Sequence, residues 1–370
     1  EVINNQRVEE LPLNGRLFVQ LTALSDNVYL TPQGTRGAAL GQTGRQVVVG
    51  GQRVGHNMYW LDGVSITDQY FNNLVISPSV DAIQEFKIQK SIYSAEFGGK
   101  ASANVNAATK AGSNTLHGSV YEFFRNNIFD ARNFFDRTPN PPPLRQNQFG
   151  GTLGGPIQKD HTFYFVNYEG YRERRALTRT FSLPSAKVRS GDFSGLSAIY
   201  DPRSTDASGV RRAFDQNRIP GERLDPVAVA FLQKVPFPNL PGEVQNDVVS
   251  APFRNDSDQY MLRGDHSFGS NDNLFARFSY ANMRTFQPYG STTLNETLVP
   301  GFGYDITTGA RNVALDYTHI FRPNLIHEFR FGYLRATGGQ ESENAGVDFA
   351  AQSGLQVVTH DPRKVGYPAM

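Results

Sequence analysis

The chain has 370 residues, with 36 basic and 35 acidic side chains, so a formal charge of +1 provides no strong field for nucleic acid or an anionic lipid surface. It contains no cysteine, which excludes thiol nucleophiles, disulfides and cysteine-ligated metals. No apolar run reaches the ~18–20 residues of a transmembrane helix, but barrel strands alternate apolar and polar residues and escape that criterion. Because the first residue is Glu1 and no signal segment is visible, we expect a piece of a longer precursor.

The first part of the chain consists of short segments separated by glycine and asparagine. Residues 47–49 and 58–61 predict short buried strands that end in turn residues. Residues 80–89 predict a helical turn that runs into a strand. We therefore predict a small α+β domain over residues 1–115.

From residue 116 onward, apolar and polar residues alternate strongly. Leu274 and Phe278, for example, share one face of a predicted strand, and Arg277 lies on the opposite face. This pattern predicts an antiparallel sheet over residues 116–370, with its first and last strands at the sheet edges. The predicted strands lie near residues 117–126, 147–155, 161–180, 257–268, 273–284, 309–321 and 325–337.

The connections between these strands alternate between short and long. Short periplasmic turns and long extracellular loops are typical of an outer-membrane barrel, whereas a soluble sandwich has no reason to follow that rule. The second long connection includes a helix predicted near residues 223–234. The short turns are 156–160, 269–272 and 322–323, and the long loops lie near 127–146, 181–256 and 285–308.

Several motifs support the same interpretation, and they are concentrated where the two regions meet. Together they resemble the Oar-like branch of the TonB-dependent outer-membrane receptors. The departures are small: Ala111 stands where that branch usually has serine, and residues 101–103 replace a glycine-richer stretch. The motifs are LPLNGR (11–16), LDGV (61–64), DAIQEFKI (81–88), YSAEFGG (93–99), TKAGSN (109–114), HGSVYEFFRN (117–126), FGGTLGGPI (149–157), FYFVNYEG (163–170) and NRIP (217–220).

This resemblance implies a fold, a location and an activity. The fold class is a small α+β plug domain (1–115) followed by about seven strands of a large, incomplete barrel (116–370), since members close about 22 strands around the plug. The location is the bacterial outer membrane, with lipid around the barrel. The activity is uptake of an extracellular substrate, driven by a TonB-type energy-coupling protein. We expect the segment that such a partner grips, the preceding domain and the remaining strands to be absent here.

The resemblance also indicates where a ligand would bind. In related plugs, the loop at this place reaches the outward apex and touches the ligand, and two adjacent aromatics flanked by amides form a plausible contact surface. The alternative, a mobile polar loop, has equal weight. The candidate ligand-binding residues are Asp68, Gln69, Tyr70, Phe71, Asn72 and Asn73.

Other classes of site find no support in the sequence. The seven histidines lack metal-ligand spacing, and no nucleophile or phosphate-binding motif has its required context. We therefore expect no enzyme, no catalytic residue, no metal, no cofactor and no nucleic-acid partner. Six charged residues on the polar strand faces are expected to pair with each other and with the plug: Arg263, Asp265, Arg277, Asp316, Glu328 and Arg330.

Two other functions remain open. The same barrel could serve as an outer-membrane adhesion or assembly protein without import, and a TonB box in the complete gene would distinguish the two. A soluble carbohydrate-binding sandwich is the third interpretation. It leaves the alternating loop lengths and the aromatic residues near the strand ends unexplained.

Overall fold

The structure, a computed structural model, describes residues 2–4, 13, 15–31, 47–69, 72–90, 93–94, 97, 99–131, 141–289, 303–356 and 361. Strands dominate this part of the chain. The first seven are β1 (Val2–Asn4), β2 (Val28–Leu30), β3 (Val47–Val49), β4 (Met58–Leu61), β5 (Val64–Ser65), β6 (Ile83–Lys90) and β7 (Ala103–Thr109). The other seven are β8 (His117–Asn126), β9 (Leu144–Gln158), β10 (Thr162–Phe181), β11 (Asp247–Ser267), β12 (Asp272–Gln287), β13 (Tyr304–Arg322) and β14 (Leu325–Ser342).

The helices are short and lie in the connections. The α-helices are α1 (Ala186–Arg189), α2 (Pro226–Leu232) and α3 (Phe349–Ser353). The 3-10 helices are Phe18–Leu24, Val80–Ala82, Asn127–Phe129, Pro202–Ser204, Asp215–Asn217 and Gly221–Arg223. No helix in the described ranges is long and apolar enough to cross a membrane.

Five of the early strands form one sheet, in the order β1-β6-β7-β4-β5, in which β4 and β7 run parallel. A separate pair, β2 and β3, packs beside it. The core beneath is apolar, and the rings of Phe18 and Phe86 meet edge to face with centroids 5.7 Å apart. The strands predicted at 47–49 and 58–61, and the helical turn and strand predicted at 80–89, are confirmed.

The later strands form a seven-stranded antiparallel sheet in the order β14-β13-β12-β11-β10-β9-β8. Each strand pairs with its neighbours in sequence, so β8 and β14 lie at the two edges. The predicted class, an α+β domain followed by an open antiparallel sheet with the first and last strands unpaired with each other, is confirmed.

The long connections are shorter than predicted, because the strands continue further than the apolar pattern does. They are 127–143, 182–246 and 288–303, where the sequence predicted 127–146, 181–256 and 285–308. Beyond the apolar stretch, paired charges replace apolar residues on the same face, as where Arg174 Nη1 lies 2.7 Å from Asp256 Oδ1. Backbone pairing persists there although the hydrophobic alternation has stopped.

The two faces of the seven-stranded sheet have opposite chemistry. The inward face, which lies against the five-stranded sheet, buries polar residues such as Arg277 and Asn312. The outward face exposes apolar residues, including Val120 at 93% and Leu262 at 54%. A soluble sandwich would bury its apolar face between the sheets, so this arrangement contradicts the sandwich interpretation and fits a wall surrounded by lipid.

The connection 182–246 packs on an apolar cluster that it shares with β10 and α3. Phe181 and Phe231 join Phe349 of α3, and the last two rings meet edge to face at 5.5 Å. Helix α2 begins at Pro226, and the side chain of Asp225 accepts hydrogen bonds from the next two free backbone amides, which is a typical N-cap. The helix predicted at 223–234 is thus present with shorter bounds.

Candidate ligand-binding loop and the contact between the sheets

A tight hairpin carries one carboxylate of the five-stranded sheet to the seven-stranded sheet of β8 to β14, which is called the wall below. Strands β4 and β5 are joined by Asp62 and Gly63, whose φ angles of 49° and 73° match a two-residue turn that favours aspartate followed by glycine. The carboxylate of Asp62 accepts hydrogen bonds from the backbone amide and the hydroxyl of Thr109, at 2.8 and 2.9 Å. These bonds hold it in one orientation, toward β11 and β12.

Two arginines of the wall meet this carboxylate. Arg277 donates from Nε to Asp62 Oδ2 at 2.6 Å, and Arg263 Nη1 lies 3.7 Å from Asp62 Oδ1. Arg263 also donates to the carbonyl and the hydroxyl oxygen of Thr109, at 3.1 and 3.0 Å. The LDGV hairpin is therefore anchored to the wall by charge-assisted hydrogen bonds.

The side chain of Arg277 is fully buried, which is tolerable only because each part of its guanidinium has a partner. Nη1 donates to the hydroxyl of Ser279 at 2.7 Å. Nη2 donates to the Leu61 carbonyl at 3.1 Å and to Asn312 Oδ1 at 2.8 Å. The wall thus provides a polar binding site for the hairpin, in which hydrogen bonds hold the guanidinium of Arg277 in place.

A second polar contact lies in the part of the chain that contains the LPLNGR motif. Arg16 Nη2 lies 2.7 Å from Asp81 Oδ2, and the guanidinium stacks over the ring of Phe123 in the wall at 4.5 Å. Asn167 of the wall donates to the Ser79 hydroxyl at 3.0 Å. The five-stranded sheet is thus tied to the wall by polar contacts at two separate places.

The prediction that the inward charges pair with each other and with the first domain is confirmed. Arg263 pairs with Asp265 at 2.7 Å, and Arg330 pairs with Asp316 at 2.8 Å and also with Glu328. Arg277 pairs with the first domain itself. These charges therefore serve the contact between the two sheets.

The predicted ligand-binding loop is closed at its base. Thr67 and Leu74 form an isolated β-bridge. Asp68 and Asn73 are buried, and Asp68 Oδ2 accepts a hydrogen bond from the Asn73 backbone amide at 2.6 Å. These two residues hold the loop together and present little surface to a ligand.

The remaining candidate residues lie nearer the tip. Gln69 is exposed, and the side-chain oxygen of Asn72 accepts a hydrogen bond from Lys100 Nζ at 2.5 Å. Tyr70 and Phe71 lie outside the described residues. Of the four candidate residues that the structure describes, Gln69 is the one with an exposed side chain.

A cavity of about 720 Å³ lies beside this loop, between it and β14. Asp68 and Gln69 line it from the five-stranded sheet, together with the indole of Trp60, and Arg330 and Leu334 line it from the wall. Trp60 and Arg330 were not among the predicted ligand-binding residues. The alternation of apolar and polar residues did place Arg330 on the inward face. Only the docking of the two sheets brings it to the loop.

The electrostatics of the cavity are nearly balanced. Its arginine is already paired with Asp316 and Glu328, and Asp68 is engaged in closing the loop. In the core of the five-stranded sheet, away from the cavity lining, burial raises the pKa of Tyr59 to about 12. Among the described residues, no group of three or more histidine, aspartate or glutamate side chains could hold a metal ion. The chemistry of the cavity therefore suits a polar ligand rather than a strongly charged one.

The sequence profile of the family described as "Outer membrane beta barrel domain" matches residues 108–370, which is most of the chain and includes the whole seven-stranded sheet. The chain belongs to this family. The match accounts for the outward apolar face, and it places the outer membrane beta barrel domain, and with it this chain, in the bacterial outer membrane.

The chain is also similar to individual known proteins. The TonB-dependent transporter Oar of Myxococcus xanthus is 32% identical over 142 residues, which are 37% of this chain and 13% of that protein. The outer membrane transporter YddB from Escherichia coli has a similar fold, with a TM-score of 0.57 and 11% identity over 93% of this chain and 40% of that structure. A ferric enterobactin receptor mutant from Pseudomonas aeruginosa has a TM-score of 0.45 and 12% identity, over 92% of this chain and 46% of that one.

The chain spans less than half the length of each of these relatives. Two of these relatives are transporters and one is a receptor. The resemblance to the TonB-dependent receptors, first seen in the motifs, is confirmed.

Proposed function

We propose that this chain is part of a TonB-dependent receptor that binds an extracellular substrate and imports it across the outer membrane. In this proposal residues 1–115 form the plug and residues 116–370 form part of the surrounding wall. The observation that carries the proposal is the hydrogen-bonded contact between Asp62 of the five-stranded sheet and Arg277 of the wall.

The chemistry of that contact suits a domain that has to move. Contacts made through side-chain hydrogen bonds can be exchanged for contacts with water, whereas a large apolar interface would have to be exposed at a high cost in free energy. The apolar contacts between the two sheets include two separate clusters, Val75 and Ile76 with Ala281 and Ala310, and Ala82 with Phe165 and Met261. A plug held in this way can be displaced by a pull and can return.

Substrate binding is proposed at the loop 67–74 and the cavity beside it. Ile76 packs near Ala281, which is four residues further from the short turn 268–271 than Arg277 is. The loop therefore lies toward the end of the wall that carries the long connections, which is the extracellular end in barrels of this type. The energy for import would come from a TonB-type protein, as the name of the Oar relative indicates for that protein.

The contact between the hairpin and the wall also offers a direct test. A Cβ built on Gly332 of β14 lies 3.2 Å from the Cβ of Val64 in the hairpin, slightly closer than the usual ~3.5–4.5 Å of a disulfide. The chain has no cysteine of its own, so a Val64→Cys/Gly332→Cys pair in the full-length receptor would be the only thiol pair from this region. We expect oxidation of this pair to abolish energy-dependent uptake while surface binding of the same substrate is retained, and reduction to restore uptake.

The controls separate blocked motion from damage to the barrel. Each single cysteine variant should import normally. A Val313→Cys/Tyr333→Cys pair joins β13 and β14 at directly opposed positions without touching the five-stranded sheet, and it should also leave uptake unchanged. Normal uptake with the hairpin tethered to the wall would contradict import by plug movement and would favour the adhesion or assembly function.

A further inference from the structure

The outward apolar face ends in a row of aromatic residues on the side of the long connections. Tyr168, Tyr260 and Tyr280 lie directly opposite one another on β10, β11 and β12. Their ring centroids are 4.9 and 6.2 Å apart. Such a belt marks the level at which the lipid headgroups begin.

Two arginines continue this row where further aromatic residues would be expected. Tyr280 is opposed by Arg311 of β13, which is in turn opposed by Arg335 of β14. Side chains directly opposed on an antiparallel pair have Cβ atoms ~4.5–5.5 Å apart, and like charges in that position are destabilising. Two adjacent cations at the lipid boundary therefore require a source of negative charge.

The described part of the chain does not provide that charge. The outward residues of the neighbouring rows on β13 and β14 are neutral: Val313 and Tyr333 on one side, Gly309 and Thr337 on the other. Neither arginine has an ion-pair partner among the described residues, and Arg311 lies over the ring of Tyr280 at 5.8 Å.

Other arginines on the same face differ in this respect. Arg172 and Arg174 on β10 each lie 2.7 Å from a carboxylate oxygen, of Asp258 and Asp256 respectively. Their charges are satisfied within the protein. Arg145 and Arg254, which directly oppose Arg174, also have no ion-pair partner among the described residues, but they lie beyond the aromatic row. The pair on β13 and β14 is set apart because it lies in the aromatic row itself, at the lipid boundary, without a counter-charge.

Two glycines and two threonines follow the pair on the side of the long connections. Gly309 and Gly339 lie on that part of β13 and β14, and hydroxyls of Thr307 and Thr337 lie next to them. Arg284, whose side chain is 71% exposed, stands on the adjacent strand opposite Thr307. The Thr337 hydroxyl already donates to the Gly309 carbonyl at 3.2 Å, and Arg284 is paired with Asp305 at 3.4 Å. The guanidinium groups of Arg311 and Arg335 are therefore the donors left to bind an anion here, and guanidinium groups bind phosphate well.

We propose that Arg311 and Arg335 bind a phosphate group of a lipid headgroup in the outer leaflet. The lipid provides the negative charge that the row lacks, and its acyl chains lie along the apolar residues below, beside Val313 and Tyr333. A free phosphate ion would make the same polar contacts but would gain nothing from the apolar surface. The site is local, which is compatible with the chain-wide charge of +1.

The test compares lipids and variants in the full-length protein, purified in a neutral maltoside detergent. Binding is measured with bisphosphorylated lipid A, with the same lipid after enzymatic removal of its phosphates, and with inorganic phosphate. We expect the wild type to bind the bisphosphorylated lipid at least about tenfold more tightly than the dephosphorylated form, because each arginine at such a surface adds to the attraction. Inorganic phosphate at millimolar concentration should not compete.

The variants decide between a site and general electrostatic attraction. Arg311→Gln/Arg335→Gln should lose most of the preference for phosphate, whereas Arg311→Lys/Arg335→Lys should retain part of it. The charge-matched control Arg172→Gln/Arg174→Gln should bind like the wild type. An equal loss in both glutamine variants would show diffuse attraction, and full retention in the first would place the lipid elsewhere; both results overturn the proposal. If the double variant fails to assemble, Arg335→Gln alone is judged by the same criteria.

Discussion

Arg277 Nε lies 2.6 Å from Asp62 Oδ2, although the two residues are 215 positions apart in the chain and belong to different sheets. Neither side chain is more than 5% exposed. A buried pair of this kind contributes less to net stability than it costs to break, since removal of one partner leaves the other charge without compensation. The contact therefore specifies where the hairpin docks on the wall.

Removal of this carboxylate should loosen the docked domain. Asp62→Ala leaves the buried guanidinium of Arg277 without a counter-charge, and we expect a loss of ~3–5 kcal/mol. The measurement is the temperature at which the five-stranded sheet of the assembled receptor becomes sensitive to protease. Asp305→Ala is the control, since it breaks an exposed pair with Arg284 and should cost less than ~1 kcal/mol. Equal shifts in the two variants would contradict a special role for Asp62.

The facing of the strands predicts opposite effects of arginine on the two sides of the wall. Leu315 points outward near the middle of the apolar face, so Leu315→Arg should cost roughly 2–4 kcal/mol in a bilayer and reduce assembly. Ala336 faces inward beside the cavity, and Ala336→Arg should be mild. Heat-modifiability of the outer-membrane fraction measures both. Asn312 is unsuitable as the inward control because it is fully buried and bonded to Arg277.

Ligand capture by the tip of the loop 67–74 remains a prediction. Truncation of both aromatics, Tyr70→Ala/Phe71→Ala, should weaken substrate binding by ~1–3 kcal/mol if the rings pack against the ligand. Abundance of the full-length receptor in the outer membrane should stay normal, because the base of the loop is closed by Asp68 and Asn73. Unchanged affinity at normal abundance would indicate that the connection 182–246, and not the loop, recognises the substrate. Reduced abundance would show that the rings belong to the core.

The connection 182–246 should withstand mild acid. The hydrogen bond from the Arg223 side chain lowers the pKa of Asp201 from its usual 3.8 to about 2, and the Ser194 side chain does the same for Asp192. Because both folded-state values lie below the usual one, the stabilisation is complete above about 3.8 and is lost as the pH falls toward about 2. Pepsin digestion across this range should begin to cut the connection only in its lower part. Arg223→Gln should shift the onset of cleavage upward, and an onset that did not move would contradict the assignment to Asp201.

The sequence by itself determined the strands of the wall, the face to which each side chain belongs, and which strands pair. Alternation with a period of two is a local property, so the residues of β12 and β13 could be assigned to their faces without knowledge of any partner strand. The short turns near 269–272 and 322–323 predicted which strands pair, because two antiparallel strands joined by a few residues become neighbours. The polar parity also identified Arg263, Arg277 and Arg330 as inward charges.

Only the tertiary structure decided what those charges meet. The partner of Arg277 is set by the docking of one sheet on another, which brings together residues far apart in the chain and leaves no periodic signal. The same docking forms the cavity between Trp60 and Arg330. Asp68 and Asn73, which the sequence presented as ligand contacts, are buried at the base of the loop, where they bond to each other. The ends of the strands were also decided by the tertiary structure. The backbones of β10 and β11 stay paired beyond the apolar face, where charged side chains pair between the two strands.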